Sequence, residues 1–121
     1  MNAFKTRNLI IVDFPNQVPQ GHEQEGRRPA VILGVPTKAR FPTVIIAPFT
    51  RDTGQAWALE NPALYPRLPS GTGGLPLASI VMLDQIKAVD INRIGRKLGT
   101  LTVEQYAPIL NGIKAMLELK A

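Results

Sequence analysis

A chain of 121 residues, 45% apolar and 19% charged, has the size and composition of one folded domain, expected to span residues 1–121. Eleven prolines and ten glycines argue against a helical bundle and favour short strands joined by many turns. The sequence has no cysteine, which excludes disulfides and thiolate chemistry, and its net charge of +5 suits polyanionic ligands.

The sequence also predicts neither a metal site nor a segment for export or membrane insertion. With one histidine and no cysteine, a zinc site is not expected, and neither a metal nor another cofactor is predicted. The N-terminus lacks the apolar core of a signal peptide, and no apolar run approaches the roughly 20 residues of a membrane-spanning helix. A cytoplasmic protein without membrane association is therefore expected.

Three apolar, β-branched runs predict strands in the first half of the chain, at Asn8–Phe14, 30–35 and 43–49. The segment 21–29 between the first two strands is predicted to be a loop. The third strand should end at residue 50, where polar side chains appear abruptly.

The second half is less regular. Residues 56–60 are predicted to form a short strand, and prolines and glycines forbid a long element over 62–76. Residues 79–89 are predicted to form one strand from which Asp84 projects on an otherwise apolar face. A turn over 90–95 should lead to a last strand at 96–101.

A C-terminal helix is indicated by the capping-box spacing of Thr102 and Gln105 and is predicted to run to about residue 119. Pro108 should bend it near its start. Its apolar stripe is predicted to comprise Tyr106, Ile109, Leu110, Ile113 and Leu117.

The polar loop 21–29 holds the only histidine of the chain, two carboxylates and two adjacent arginines. Such groups can donate a proton, accept one and hold a phosphate. This loop, read with later segments, resembles the MazF/PemK family of bacterial toxin endoribonucleases. The matching stretches are Val12-Asp13-Phe14-Pro15, Gly21-His22-Glu23-Gln24 with Gly26, Arg28-Pro29-Ala30, Ile46-Ala47-Pro48-Phe49-Thr50, Leu83-Asp84-Gln85-Ile86, and Gly99-Thr100-Leu101 before the helix.

The resemblance implies a mainly β (α+β) fold, an SH3-like small barrel with a C-terminal α-helix. It also implies a homodimer, neutralised by a cognate antitoxin protein, that cuts single-stranded RNA such as mRNA at selected sequences. Cleavage would proceed without metal, by attack of the 2′-hydroxyl on the adjacent phosphate.

Catalytic roles are carried over position by position. Arg28 and Thr50 match the arginine and threonine treated as catalytic in much of the family, and Glu23 matches a glutamate near the cleavage site. His22 and Asp84 match residues of the plasmid-encoded branch. That branch has an arginine two positions before the aspartate, where this chain has Met82, and the departure favours the mechanism based on Arg28 and Thr50.

The predicted RNA contacts are Arg27, Gln24, Arg51, Asp84 and Lys38. Each has a plainer interpretation, since an arginine pair before proline is often a solvated turn and a lone aspartate usually orders a neighbour. Two other functions stay open on the sequence. The same barrel serves CcdB-like toxins that bind DNA gyrase without catalysis, and an inactive member could act as an interaction module.

Overall fold

The computed structural model describes residues 3–15 and 26–119. Within these ranges the chain forms an antiparallel sheet and a C-terminal helix, with a one-turn helix between strands. The strands are Asn8–Phe14 (β1), Gly26–Gly34 (β2), Thr43–Arg51 (β3), Arg67–Leu68 (β4), Ser79–Val81 (β5), Lys87–Asp90 (β6) and Ile94–Thr100 (β7), and the helices are Ala56–Leu59 (α1) and Val103–Met116 (α2).

Strand β3 is the centre of the sheet. One of its edges pairs with β2, while the other pairs first with β6 and then with β5. The sheet continues from β2 through β1 to β7, and the β1–β7 pairing has two register shifts. Such irregularities increase strand twist, which curls a sheet towards closure. The predicted mainly β, barrel-like fold with a C-terminal helix is confirmed.

Two apolar clusters form the core, one on each face of the central strands. Successive side chains of a strand alternate between faces, so β1, β2 and β3 contribute to both. The cluster beneath α2 includes Leu9, Val31, Ala47, Phe49, Leu75, Leu83, Leu101, Tyr106 and Ile109. The cluster within the curled sheet comprises Ile10, Val12, Phe14, Ala30, Ile32, Val44, Ile46 and Val89.

The start of α2 agrees with the prediction. The Gln105 backbone N–H donates to Thr102 Oγ1 at 3.1 Å, and the Thr102 N–H donates to Gln105 Oε1 at 2.8 Å. The predicted stripe is only partly right, because Leu110 and Leu117 are 41% and 55% exposed. The buried residues of the helix are Tyr106, Ile109 and Gly112, and a Cβ on Gly112 would collide with the Ala63 carbonyl.

Three predicted elements of the second half are corrected. Residues 56–60 do not form a strand, since Ala56–Leu59 is a helix, and a four-residue run is too short for periodicity to separate the two. The predicted strand 79–89 is broken by a 3₁₀ turn at Leu83–Gln85. The predicted turn at 90–95 is largely the 3₁₀ turn Ile91–Arg93, and β7 starts at residue 94.

Residues 26–29 of the predicted loop 21–29 belong to a strand instead. Strand β2 begins at Gly26 and includes Arg27, Arg28 and Pro29. These residues pair with β1, where Phe14 faces Gly26 and Val12 faces Arg28. The two arginines therefore have a strand backbone, which fixes where their side chains point.

Candidate functional site

The ends of β2 and β3 bring four predicted site residues together. Ala30 of β2 pairs with Pro48 of β3. Continuing this antiparallel register by two residues sets Arg28 opposite Thr50, and by one more sets Arg27 opposite Arg51. All four line one cavity of about 170 Å³.

The cavity also has an apolar part, formed by a segment for which the sequence predicted no function. It consists of Leu75, Pro76 and Leu77, together with Ser79 of β5. Ser79 is buried, pairs with Arg51, and donates its hydroxyl to the Leu77 carbonyl at 2.9 Å. The segment lacks any periodicity, so only the pairing of β5 with β3 reveals its place.

Strand alternation separates the two adjacent arginines. Arg28 shares a face with Ala30 and Val12, whereas Arg27 belongs to the opposite face. The Arg27 side chain extends across β1 towards Gly95 of β7, where a Cβ would lie 2.9 Å from its Nη2 atom. Arg27 and Arg28 consequently do not form one clamp, and Arg28 is the arginine that shares a face with Thr50.

The chain beyond Arg51 is fixed by side-chain hydrogen bonds. The Asp52 carboxylate accepts from Arg67 Nε at 2.6 Å and from the Gly54 N–H at 3.0 Å. Gln55 Nε2 donates to the Arg51 carbonyl at 2.9 Å. The hydrogen bond from Arg67, and then that from Gly54, hold the pKa of Asp52 below its usual value. This network, which the sequence did not predict, anchors the backbone at the mouth of the cavity.

Asp84 lies in the 3₁₀ turn rather than on a strand face, and it does not line the cavity. Its carboxylate accepts a hydrogen bond from the Tyr65 hydroxyl at 2.8 Å, and the Tyr65 ring packs edge-on against Trp57 at 4.8 Å between centroids. Burial and then the bond to Asp84 raise the pKa of Tyr65. The partner of Asp84 is thus a tyrosine, and its predicted RNA contact stays a prediction.

Lys38 lies at the opposite end of β2 from Arg28. Gly34 lies six residues further along β2 than Arg28, a distance of about 20 Å at roughly 3.3 Å per residue. Lys38 lines a second, wider cavity of about 580 Å³ with Arg40 and Phe41, and the Arg40 guanidinium sits 4.7 Å from the Phe41 ring centre. Lys38 does not belong to the cluster around Arg28.

His22, Glu23 and Gln24 lie outside the described residues, so their predicted roles stay predictions. The chain enters and leaves that stretch at Pro15 and Gly26, which flank the paired ends of β1 and β2. Gly26 has a φ of +80°, a backbone conformation that favours glycine.

Comparison with known proteins decides the family. The family of PemK-like, MazF-like toxins of type II toxin–antitoxin systems matches residues 5–117. This chain belongs to that family. The toxin is 33% identical over 101 residues to the endoribonuclease MazF of Staphylococcus saprophyticus, a match covering 83% of this chain and 81% of that protein.

Solved structures confirm the fold of this toxin. MazF from Deinococcus radiodurans has a TM-score of 0.71 at 20% identity, covering 98% of this chain and 99% of that one. An endoribonuclease from a mycobacterial species, solved in complex with its cognate antitoxin, has a TM-score of 0.69 at 19% identity, covering 100% and 99%. The predicted family is confirmed, and the predicted class of enzyme agrees with the relative from Staphylococcus.

Within residues 3–15 and 26–119, no three histidine, cysteine, aspartate or glutamate side chains come together in a group that could hold a metal ion. Over the same part of the chain, no helix is long and apolar enough to cross a membrane.

Proposed function

We propose that this toxin is an endoribonuclease that cuts single-stranded RNA, with Arg28 and Thr50 at the scissile phosphate. The observation that carries the proposal is that Arg28 of β2 and Thr50 of β3 line the same cavity. The family and the endoribonuclease among its relatives support the reaction class. Cytoplasmic mRNA is the proposed substrate.

The proposed reaction uses the RNA's own nucleophile. The 2′-oxygen forms a bond to the adjacent phosphorus while the bond from phosphorus to the 5′-oxygen breaks, which leaves a cyclic phosphate and a 5′-hydroxyl. A base must accept the 2′-hydroxyl proton and an acid must protonate the leaving 5′-oxygen. No oxidant, bound water or metal is needed for this balance.

Roles follow from the chemistry of each side chain. The Arg28 guanidinium offers a planar pair of donors that fits two phosphate oxygens and stabilises the charge of the transition state. The Thr50 hydroxyl, opposite Arg28, orients the phosphate or relays a proton. His22, with an ordinary pKa of about 6.5, and Glu23 are proposed as the proton-transfer pair.

Other cations are proposed to hold the strand on either side of the cut. Arg27 and Arg51 line the same cavity, and we assign them, with Gln24, to the neighbouring nucleotides. Lys38 and Asp84 lie away from that cavity, so any contact they make is with nucleotides further along the strand.

Two protein partners are proposed, a second copy of the toxin and a cognate antitoxin. The mycobacterial relative was solved with its cognate antitoxin, which supports the second. Because Arg28 and Arg51 line the cavity beside apolar residues 75–77, an acidic and apolar antitoxin segment would fit across it and exclude RNA. Competition between antitoxin and an uncleavable RNA is therefore expected, and a ternary complex with unchanged RNA affinity would contradict it.

The deciding experiment is incubation of the purified toxin with a long RNA in the presence of EDTA, followed by mapping of the ends. Cleavage at defined sequences, leaving 5′-hydroxyl ends, is expected because the mechanism uses no metal. Loss of cleavage in EDTA and rescue by Mg²⁺ would refute the mechanism. Absence of cleavage under every condition would favour the alternative of a gyrase-binding toxin.

A further inference from the structure

The cavity beside Arg28 is lined by two unlike sets of residues. One set is polar and comprises Arg27, Arg28, Arg51 and Thr50, and the other comprises Leu75, Pro76 and Leu77. A phosphate needs only the first set. The second is apolar, and an apolar wall next to a phosphate clamp fits the flat, weakly hydrated face of a nucleobase.

We propose that this cavity binds one nucleobase of the RNA substrate and that Leu77 sets the size of base it accepts. The proposal rests on the endoribonuclease function argued above and adds a specificity-determining residue to it. No role in recognition was assigned to residues 75–77 by the sequence, which marks them only as part of a proline- and glycine-rich connection.

The size of the cavity suits one base. Its volume is about 170 Å³, against about 580 Å³ for the cavity lined by Lys38 and Arg40. A single planar ring system is therefore a better match to this cavity than a stack of bases. Small changes in the wall should therefore matter for which base enters.

Charge also favours a nucleotide as the occupant. None of the described residues that line the cavity is acidic, and three are arginines, of which Arg27 directs its guanidinium across β1 towards Gly95. A base placed against Leu77 would carry its phosphates towards this positive rim. An acidic peptide could use the rim equally well, but it would have no need of a cavity with the dimensions of a single ring.

The apolar wall is held in place before any ligand binds. The Gly71 N–H donates to the Leu75 carbonyl at 2.7 Å, and the Asp52 N–H donates to the Ala78 carbonyl at 2.9 Å. Gly73 and Gly74 pack directly on the backbone of β7, where a Cβ on Gly74 would collide with the Leu98 carbonyl. A preformed wall is what selection by size requires, because a flexible one would adapt to any base.

The experiment compares RNA oligonucleotides that differ at one position of the mapped cleavage sequence. Leu77→Ala enlarges the cavity, so at one position the ratio of kcat/KM for purine over pyrimidine should rise about tenfold, the low end for changes in an apolar pocket. Leu77→Trp fills the space and should lower cleavage whichever base is there, while Leu77→Met should restore the wild-type ratio.

Leu59→Ala is the matched control. Leu59 is 52% exposed and Leu77 is 49% exposed, but Leu59 lies on α1 and does not line the cavity. Its substitution should leave every base preference unchanged.

Three results would overturn the inference. Unchanged preferences in Leu77→Ala, while the wild-type toxin cuts RNA, would refute the base pocket and leave the proposed function intact. A uniform loss of rate at all positions with a lower Tm would make Leu77 merely structural. A wild-type toxin that does not cut RNA would remove the proposed function and, with it, the pocket.

Discussion

Strands β2 and β3 carry a basic region at each end, and the two regions differ in construction. At one end Arg28 and Thr50, on neighbouring strands, line a cavity of about 170 Å³ together with the apolar residues 75–77. At the other end Lys38 and Arg40 lie on the connecting loop, around a wider cavity of about 580 Å³. About 20 Å of strand separates them.

The difference lies in what fixes the cations. Arg28 is part of a paired strand, and the backbone at Arg51 is tied down through Gln55, Asp52 and Arg67. Arg40 rests on the ring of exposed Phe41. Positive charge alone attracts a polyanion at either end, but only a rigid frame can hold a phosphate in reacting geometry.

The largest expected effect tests this comparison directly. Arg28→Ala should lower kcat/KM for RNA cleavage by about 10²–10³, because a preorganised donor to the transition state is lost. Arg28→Lys keeps the charge but not the bidentate geometry and should recover only part of the rate. Cleavage of a mapped oligonucleotide, with circular dichroism to verify folding, is the measurement.

Arg40→Ala is the matched control at the other end of the strands. It removes one cation from an exposed loop and should change the cleavage rate by no more than about twofold, as expected for surface positions away from a site. Equal losses from Arg40→Ala and Arg28→Ala would mean that overall charge, and not the frame around Arg28, drives cleavage.

Local sequence signals predicted the elements whose structure is locally determined. β1 has the predicted bounds because its apolar, β-branched run ends before Pro15, and α2 starts where Thr102 and Gln105 form a capping box. The strand predicted over 79–89 failed for a non-local reason. The Leu83 N–H donates to the Leu64 carbonyl at 3.2 Å, and the Met82 N–H donates to the Pro48 carbonyl at 2.9 Å, contacts outside any sequence window.

Some residues of the candidate site could be predicted from the sequence and others could not. Arg28 and Thr50 were predicted from resemblance to a family, and in the structure both line one cavity. The place of residues 75–77 in the cavity could not be predicted, because a proline- and glycine-rich segment has no hydrophobic periodicity. The ion pair between Asp52 and Arg67 could not be predicted either, because the two residues are far apart in the sequence. Arg27 was misjudged as a loop residue because β2 begins earlier than its apolar run.

An intermediate effect is expected from the ion pair between Asp52 and Arg67, which helps to fix the backbone next to Arg51. The folded-state pKa of Asp52 is lowered, so its ion pair stabilises the fold above the unfolded pKa of about 3.9, and this stabilisation disappears as pH falls through the folded value. Asp52→Asn should cost about 1 kcal/mol at pH 7, because Arg67 is 46% exposed, and much less at pH 2.

Urea unfolding at the two pH values measures this difference, and Asp90→Asn provides the comparison at the other end. Asp90 accepts from the Asn92 N–H at 2.9 Å, and asparagine retains a capping oxygen, so little change is expected. An Asp52→Asn cost that does not shrink in acid would show that the carboxylate's charge is not what stabilises the loop.

The smallest effect separates the two basic regions by the length of RNA that reaches them. Each phosphate contact on a single strand contributes about −0.7 to the slope of log K against log salt concentration. Arg51→Ala should therefore make the slope less negative by about 0.7 for any uncleavable RNA that fills the cavity. Lys38→Ala should have no effect with such a short RNA, because about 20 Å of strand separates Arg28 from the end of β2 that precedes Lys38. With a several-fold longer RNA, the slope of Lys38→Ala should also become less negative, since the strand can then follow the sheet to the wider cavity.

Fluorescence anisotropy titrations with the two lengths at several salt concentrations distinguish these cases. A change in slope for Lys38→Ala with the short RNA would place both basic regions on one compact binding surface. No change with either length would remove Lys38 from the RNA contacts and leave the cavity lined by Arg28 and Thr50 as the binding site.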